Sequence, residues 1–242
     1  MMHLTSLKNS IVQKALRLRI DKTFRYTEGL CLVFKDHLLE ELAQSHPIEV
    51  LFTLDPYQNP HAKETFFVTK EILEKITGLA SQDKWAALVK IPPFSAKKGE
   101  KILVFDRLQD PGNVGTLMRS MEAFGFDQAF FLDSSVDPFN EKTIRSSMGA
   151  VFRVPIRMGS PKELLEENIP LIGADMEGVS IETFSPPASF ALILGHEGQG
   201  IDPLLKKHST QVKIPMLSTT ESLNVAQAGA ILLYFLGKTR GL

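Results

Sequence analysis

Two hydrophobic rhythms divide this chain. Up to about residue 90, helical and strand-like patterns are interleaved. Val12, Ala15, Leu16 and Ile20 recur at the spacing of one helix face, and "GLCLVF", "IEVLFTL", "ETFFV" and "WAALVKI" are apolar runs of strand length, with helical stretches such as "KEILEKI" between them. This predicts a small α/β unit. Further on, "KILVFD", "AFFL", "PLIGA", "FALILG" and "VKIP" are apolar without alternation. Helical patterns separate them, one from about Val114 to Phe124 and one in "NVAQAGAILLYFL" near the end. Strands with no polar face belong to a sheet covered on both sides, and their alternation with helices predicts a mainly parallel one. Ligands of such sheets gather at the carboxyl ends of the strands.

Between the two rhythms lies "KIPPFSAKKGEK". Pro92 and Pro93 stop regular structure, and Lys97, Lys98 and Gly99 make a polar connection, which places a boundary near residue 95 and predicts domains over 1–95 and 96–242. Hydrophobic residues at 43% and charged residues at 23% of 242 positions suffice for a packed core. The single cysteine, Cys31, excludes an intramolecular disulfide framework and sits in an apolar run, where a buried thiol is expected rather than a nucleophile. No apolar run is long enough to span a bilayer and no charged-then-apolar leader opens the chain, so a cytoplasmic, non-membrane protein is expected. The net charge of −1 hides an asymmetry. Residues 1–25 hold six cations against one acid, Asp21, an excess that suits either phosphate or a solvated helix face.

Three loops carry candidate chemistry. In "FDRLQDPGNVGTLMRSMEAFGF", residues 105–126, "DPGN" is a turn after a strand and Asn113 is expected to cap the next helix. Gly115 in the first turn implies a close neighbour, because glycine there otherwise weakens the helix. Arg119 follows on a largely apolar helix, as a salt-bridge partner or a phosphate grip. In "LILGHEGQGID", residues 192–202, Gly195, Gly198 and Gly200 make room for a ligand around Glu197. The spacing excludes both phosphate-loop patterns, since Ile201 stands where a Walker loop needs lysine and Pro203 where a dinucleotide loop needs glycine. His196 and His208 lack metal-ligand spacing, and no metal is expected. In "VKIPMLSTTESLNVAQAGAILLYF", residues 212–235, Pro215 ends a strand, Ser218 to Ser222 form a polar loop, and Ser222 or Asn224 reads as a helix cap. Ala226, Ala228, Gly229 and Ala230 then let another element approach closely.

Together these loops resemble the three sequence motifs of the SpoU (TrmH) family of RNA ribose 2'-O-methyltransferases, in the SPOUT superfamily. The likeness rests on "NVGTLMRSMEAFG", "LILGHEGQGI" and "IPMLSTTESLNVAQAGAILLY" in that order and spacing, with "SSMGAVFRVPI" as a fourth matching stretch, and covers roughly Phe105 to Leu236. The resemblance implies a trefoil-knotted α/β methyltransferase domain with a parallel sheet, threaded between about Leu194 and Leu223, against the general rule that chains are unknotted. It also implies S-adenosylmethionine as cofactor, RNA as substrate with ribosomal RNA favoured over transfer RNA, and a homodimer whose active site takes residues from both protomers. The N-terminal part is similar to the family's small, ribosomal-protein-like RNA-binding domain. Here Lys35 and Asp36 stand where many relatives carry a Glu-Gly pair.

By motif position, the resemblance nominates Asn113, Arg119, Glu197, Ser222 and Asn224 as catalytic. It assigns the cofactor to Leu194, Gly195, Glu197, Gly200, Ile214, Met216 and Leu223, chiefly through backbone groups and apolar walls. Arg119 is implied to engage the ribose hydroxyl or its neighbouring phosphate. A guanidinium is always protonated and has no lone pair to accept a proton, so its expected role is to bind the phosphate while phosphate or water takes the proton. Asn224 and Ser222 are expected to orient the hydroxyl or Arg119, and Glu197 to order the glycine loop. Two other readings share these residues: a non-catalytic RNA-binding protein of the same fold, and a SPOUT methyltransferase acting on a base nitrogen. A nicotinamide-dependent enzyme is excluded by the glycine spacing.

Overall fold

The computed structural model describes residues 2–55, 57, 60–80, 83–217 and 222–237. They pack as two compact units, residues 1–92 with 139–149 and residues 93–138 with 150–242. The first unit opens with β1 (Met2–Leu4), α1 (Ser10–Ile20), α2 (Lys22–Glu28) and β2 (Leu30–Phe34). It continues through α3 (Asp36–Leu42), β3 (Ile48–Thr53), β4 (Ala62–Val68), α4 (Lys70–Thr77) and β5 (Trp85–Lys90). Its five strands form a mixed sheet in the order β1-β4-β3-β5-β2, parallel among β1, β4 and β3 and antiparallel on both sides of β5.

Side chains set where its helices begin: Asn9, Asp21 and Thr69 each accept a backbone N–H from the first turn of α1, α2 and α4. Helix α1 buries Val12, Ala15 and Leu18. Ile20, expected on that face, is 76% exposed, because at 100° per residue it falls about 140° from the centre of the buried stripe. Cys31 is buried in β2. The cationic run is largely committed to the fold. Arg25 is buried with its guanidinium on the carbonyls of Leu18 and Arg19 at 2.7 and 3.1 Å, and Arg19 donates to the carbonyls of Lys75 and Ile76 at the end of α4 at 2.9 and 3.0 Å. Lys14 pairs with Glu28 and Arg17 with Asp21. A desolvated guanidinium has to find acceptors, and these are its nearest carbonyls.

The second unit begins with β6 (Lys101–Phe105), α5 (Pro111–Ala123) and β7 (Gln128–Leu132). The chain then leaves it for α6 (Glu141–Ser146), which packs on β2 of the first unit and sets Arg145 over the Phe34 ring. Residues 139–149, placed in the second domain by sequence, therefore lie with the first. After α7 (Ala150–Arg153) come β8 (Ile156–Gly159), α8 (Pro161–Glu166), β9 (Leu171–Ser180), β10 (Phe190–Leu194), α9 (Pro203–Lys207), β11 (Ser209–Lys213) and α10 (Val225–Gly237). The six strands form a wholly parallel sheet in the order β11-β9-β10-β6-β7-β8, so this is a mixed α/β fold.

Strands β6, β7 and β10 are buried along their whole length, as their unbroken apolar runs require. Ile102, Val104, Ala191 and Ile193 share a core with Leu164 and Leu205 of α8 and α9. On alternate positions Phe105 and Phe131 stack at 4.3 Å. Helices α5 and α10 meet where Gly229 lacks a side chain: a Cβ there would lie 2.3 Å from Leu117 Cδ2 and 2.7 Å from Leu194 Cδ1. Gly229→Val should therefore cost about 1–3 kcal/mol of stability through overpacking, measured as a lower urea midpoint. An unchanged midpoint would mean that the two helices do not meet there.

Candidate active site

A cavity of about 400 Å³ lies at the carboxyl ends of β10 and β11, beside the middle of β9. It owes its space to an irregularity in β9. Gly173 pairs with Gln211, but the next residue, Val212, pairs with Val179, so residues 174–178 loop out of the ladder. Ala174, Asp175 and Met176 of this loop form one wall. Gly178 brings the loop back against β11, and a Cβ there would lie 2.4 Å from the carbonyl carbon of Gln211. Leu194, Gly195, Glu197 and Gly200 line a second side, and Ile214, Met216 and Leu223 a third. All seven residues assigned to the cofactor from the sequence thus face one space. Among the described residues, the backbone groups of Ile214, Met216 and Leu223 make no hydrogen bond, which leaves them for a ligand.

Three loops meet at the rim. Asn113 is not the cap of α5: Asp110 is, its Oδ1 accepting from the Asn113 N–H at 2.8 Å, and Pro111 occupies the first turn. Proline presets the helical φ and lacks the donor that a cap would have to satisfy, so the helix starts earlier and the Asn113 side chain is released. Its Nδ2 donates to Glu197 Oε1 at 3.2 Å, and its Oδ1 accepts from Asn224 Nδ2 at 3.2 Å. Asn224 Oδ1 in turn accepts from the Ala226 and Gln227 N–H groups at 2.9 and 3.4 Å, which makes Asn224 the cap of α10. Both ends of its amide are used, so its orientation is fixed from two sides. Ser222 and Asn224 line the cavity; of the polar loop expected before them, residues 218–221 lie outside the described residues.

Arg119 stands apart. It is exposed, does not line the cavity, and makes no hydrogen bond or ion pair among the described residues. Six residues beyond Asn113 on α5, it is displaced by about 9 Å along the axis and about two-thirds of a turn around it.

Sequence reasoning passed over Asp106 and Arg107, which directly follow β6. Asp106 is fully buried, and its carboxylate accepts from Arg107 Nε at 2.7 Å and from the Asp202 N–H at 2.6 Å. The hydrogen bond to Asp106 raises the pKa of Arg107 further, outweighing burial. Arg107 adopts φ +58°, a left-handed conformation costing a non-glycine residue about 1–2 kcal/mol. The available signal was a charged pair immediately after a wholly apolar strand. On the opposite side, burial pushes the Asp175 carboxyl up, but hydrogen bonds from Lys206 at 2.5 Å and the Glu177 N–H at 3.0 Å bring it below its ordinary value.

A parallel α/β sheet with a ligand-sized cavity at the carboxyl ends of its strands defines the ligand-binding class of α/β proteins. Residues 100–234 match the SpoU rRNA Methylase family. A 23S rRNA (guanosine(2553)-2'-O)-methyltransferase from Bacillus subtilis is 33% identical over 98% of this chain and 99% of its own length. Among solved structures, an AdoMet-bound rRNA methyltransferase from Sinorhizobium meliloti superposes with a TM-score of 0.86 at 23% identity, covering 99% of this chain and 98% of that one. The AdoMet complex of the SpoU methyltransferase AviRb from Streptomyces viridochromogenes gives 0.83 at 22% identity, covering 96% and 99%. The structural likenesses establish the fold, and the sequence matches establish that this chain belongs to the SpoU rRNA Methylase family. No helix of the described residues is long and apolar enough to cross a membrane.

The Asp175–Lys206 pair gives a pH test of the cavity wall. A carboxyl with a lowered folded-state pKa stabilises the fold above its unfolded value, and that contribution is lost as pH falls through the folded one. Wild-type protein should melt above Lys206→Met at neutral pH, and the gap should close as pH falls below 3.8. A gap that persisted in acid would mean that Lys206 acts through packing.

Proposed function

We propose that this protein transfers a methyl group from S-adenosylmethionine to a ribose 2'-hydroxyl of ribosomal RNA, working as a homodimer. The observation that carries this reading is the line Asn224–Asn113–Glu197, which joins three distant loops at the mouth of a cavity in a member of the SpoU rRNA Methylase family. The whole-length likeness to a 23S rRNA (guanosine(2553)-2'-O)-methyltransferase supports ribosomal RNA over transfer RNA.

The cavity fits such a cofactor. Its walls are apolar at Leu194, Ile214, Met216 and Leu223, and its charged side chains are two acids, Asp175 and Glu197, against one cation, Lys213. That set suits a base, a ribose and a cationic centre better than a phosphate. When bound, S-adenosylmethionine supplies an electrophilic methyl on a sulfonium. The protein's part is to place the hydroxyl and see its proton removed. Asn224 and Ser222 would orient the hydroxyl, with Glu197 and Asn113 holding Asn224 in place. Arg119 would bind the adjacent phosphate and ease alkoxide character; the proton passes to a phosphate oxygen or water, because guanidinium cannot accept it.

The homodimer reading answers the position of Arg119. An exposed guanidinium without a partner among the described residues, off the cavity and turned away from Asn113 on α5, suits a site completed by Arg119 of the partner subunit. The chain between about Leu194 and Leu223 is proposed to be threaded as a trefoil knot, which would account for so many segments converging on one small space. The first unit is assigned to RNA binding, and the cytoplasm is the expected compartment.

Labelled methyl transfer to isolated ribosomal and transfer RNA tests this. Label should appear in ribosomal RNA as a 2'-O-methylnucleoside, and Asn224→Ala or Arg119→Ala should each lower the rate by about a hundredfold or more. Label on a base, or only in transfer RNA, would overturn the assignment. Cofactor binding without transfer to either RNA would favour the non-catalytic RNA-binding protein. Mixing the two inactive variants at equal amounts should restore about a quarter of wild-type activity, since half the dimers then hold one intact composite site. No recovery would place Arg119 and Asn224 in the same protomer's site.

A further inference from the structure

We infer that Asp106 and Arg107 form a positioning clamp on the glycine loop that sets the cavity's affinity for its cofactor. This rests on the cofactor reading above. The loop from Gly195 to Asp202 contains three glycines, and apart from Ile201, whose side chain is buried in the core, its shape depends on hydrogen bonds. Some are internal: His196 and Gly200 exchange backbone bonds at 3.1 and 2.9 Å, and the Gly198 and Gln199 N–H groups donate to His196 Nδ1 at 3.0 and 3.3 Å. From outside, Asn113 holds the Glu197 carboxylate, and one dipeptide supplies the contacts at the two ends of the loop. The Asp106 N–H donates to the Leu194 carbonyl at 3.0 Å, where the loop begins, and the Asp106 carboxylate holds the Asp202 N–H, where it ends. Arg107 donates from Nη2 to the Gly200 carbonyl at 3.0 Å and from Nη1 to Gln199 Oε1 at 3.3 Å.

Donor counting separates this role from phosphate binding. Arg107 spends Nε and one Nη2 hydrogen on Asp106, the other Nη2 hydrogen on Gly200 and an Nη1 hydrogen on Gln199, leaving one of five donors. It is not an open cationic fork. Its backbone is itself pinned, with its N–H on Ser135 Oγ at 3.0 Å and its carbonyl accepting from Gln109 Nε2 at 3.2 Å. An arginine kept in a conformation that glycine adopts freely points to a need for its side chain. Neither residue lines the cavity; both act through Leu194, Gly195 and Gly200, which do.

The strained backbone makes a clean test possible. Arg107→Gly removes the clamp and relieves the conformation, which offsets part of the cost of leaving the buried Asp106 carboxylate without its partner, and a purely structural role predicts no change in binding. Calorimetric titration of the full-length protein with S-adenosylmethionine should instead show Kd raised about tenfold, as expected for losing a charge-assisted hydrogen bond. Amide exchange should be faster at Gly198 to Ile201, and kcat at saturating cofactor should stay near wild type. Arg107→Lys, which keeps the charge beside Asp106 but not the fork, should fall between the two. An unchanged Kd in Arg107→Gly, or a loss confined to kcat, would overturn the clamp. If Arg107→Gly melts below wild type, Arg107→Lys decides, and a wild-type Kd there overturns it equally. Wild-type protein that failed to bind S-adenosylmethionine would instead overturn the cofactor reading, and this inference with it.

Discussion

At the carboxyl end of the parallel sheet, main chain runs directly against main chain, and the rest of the site follows from that. A Cβ on Gly195 would lie 2.4 Å from the carbonyl carbon of Gly200, and one on Gly178 would lie 2.4 Å from that of Gln211. No side chain can stand between these segments. Backbone donors and acceptors are therefore concentrated around one small space, and among the described residues those of Ile214, Met216 and Leu223, which line it, have no partner. Apolar side chains such as Leu194 and Leu223 supply the rest. Recognition in such a site depends on the path of the chain more than on any single side chain.

A path held by glycines needs external support, and short polar side chains provide it by serving two purposes at once. Asn224 caps α10 and also holds Asn113; Asp110 caps α5 and thereby releases Asn113 to reach Glu197. Local helix-end chemistry and the assembly of the rim are thus one set of hydrogen bonds. The loop behind Glu197 is anchored by the buried Asp106 carboxylate, which ties the end of β6 to the start of α9. Charge in the first unit follows the same economy: Arg25 and Arg19 end on backbone carbonyls of that unit.

Most elements were legible in the sequence because hydrophobic period is a local property. The unbroken apolar runs of β6, β7 and β10 marked them as central strands, and the amphipathic pattern of "KEILEKI" marked α4. The short edge strands β1 and β8 carried too little pattern to be read. Asn113 was misread as a cap because its residue type suits one; the Asp-Pro pair just before it competes for the same helix start and prevails. Ile20 was misplaced because four apolar positions cannot by themselves show which stripe faces the sheet.

By its sequence alone, the chain declared an α/β protein with a parallel sheet, a family, and the residues of three loops, since periodicity and motif spacing are properties of consecutive residues. Tertiary structure alone decided that residues 139–149 join the first unit, that residues 174–178 bulge out to open the cavity, and that Arg119 stands away from it. It also decided that Asp106 holds an amide 96 positions along the chain. Each of these depends on a partner far off in sequence, and pairing at such separation is settled by how strands align in the sheet, which no local pattern encodes.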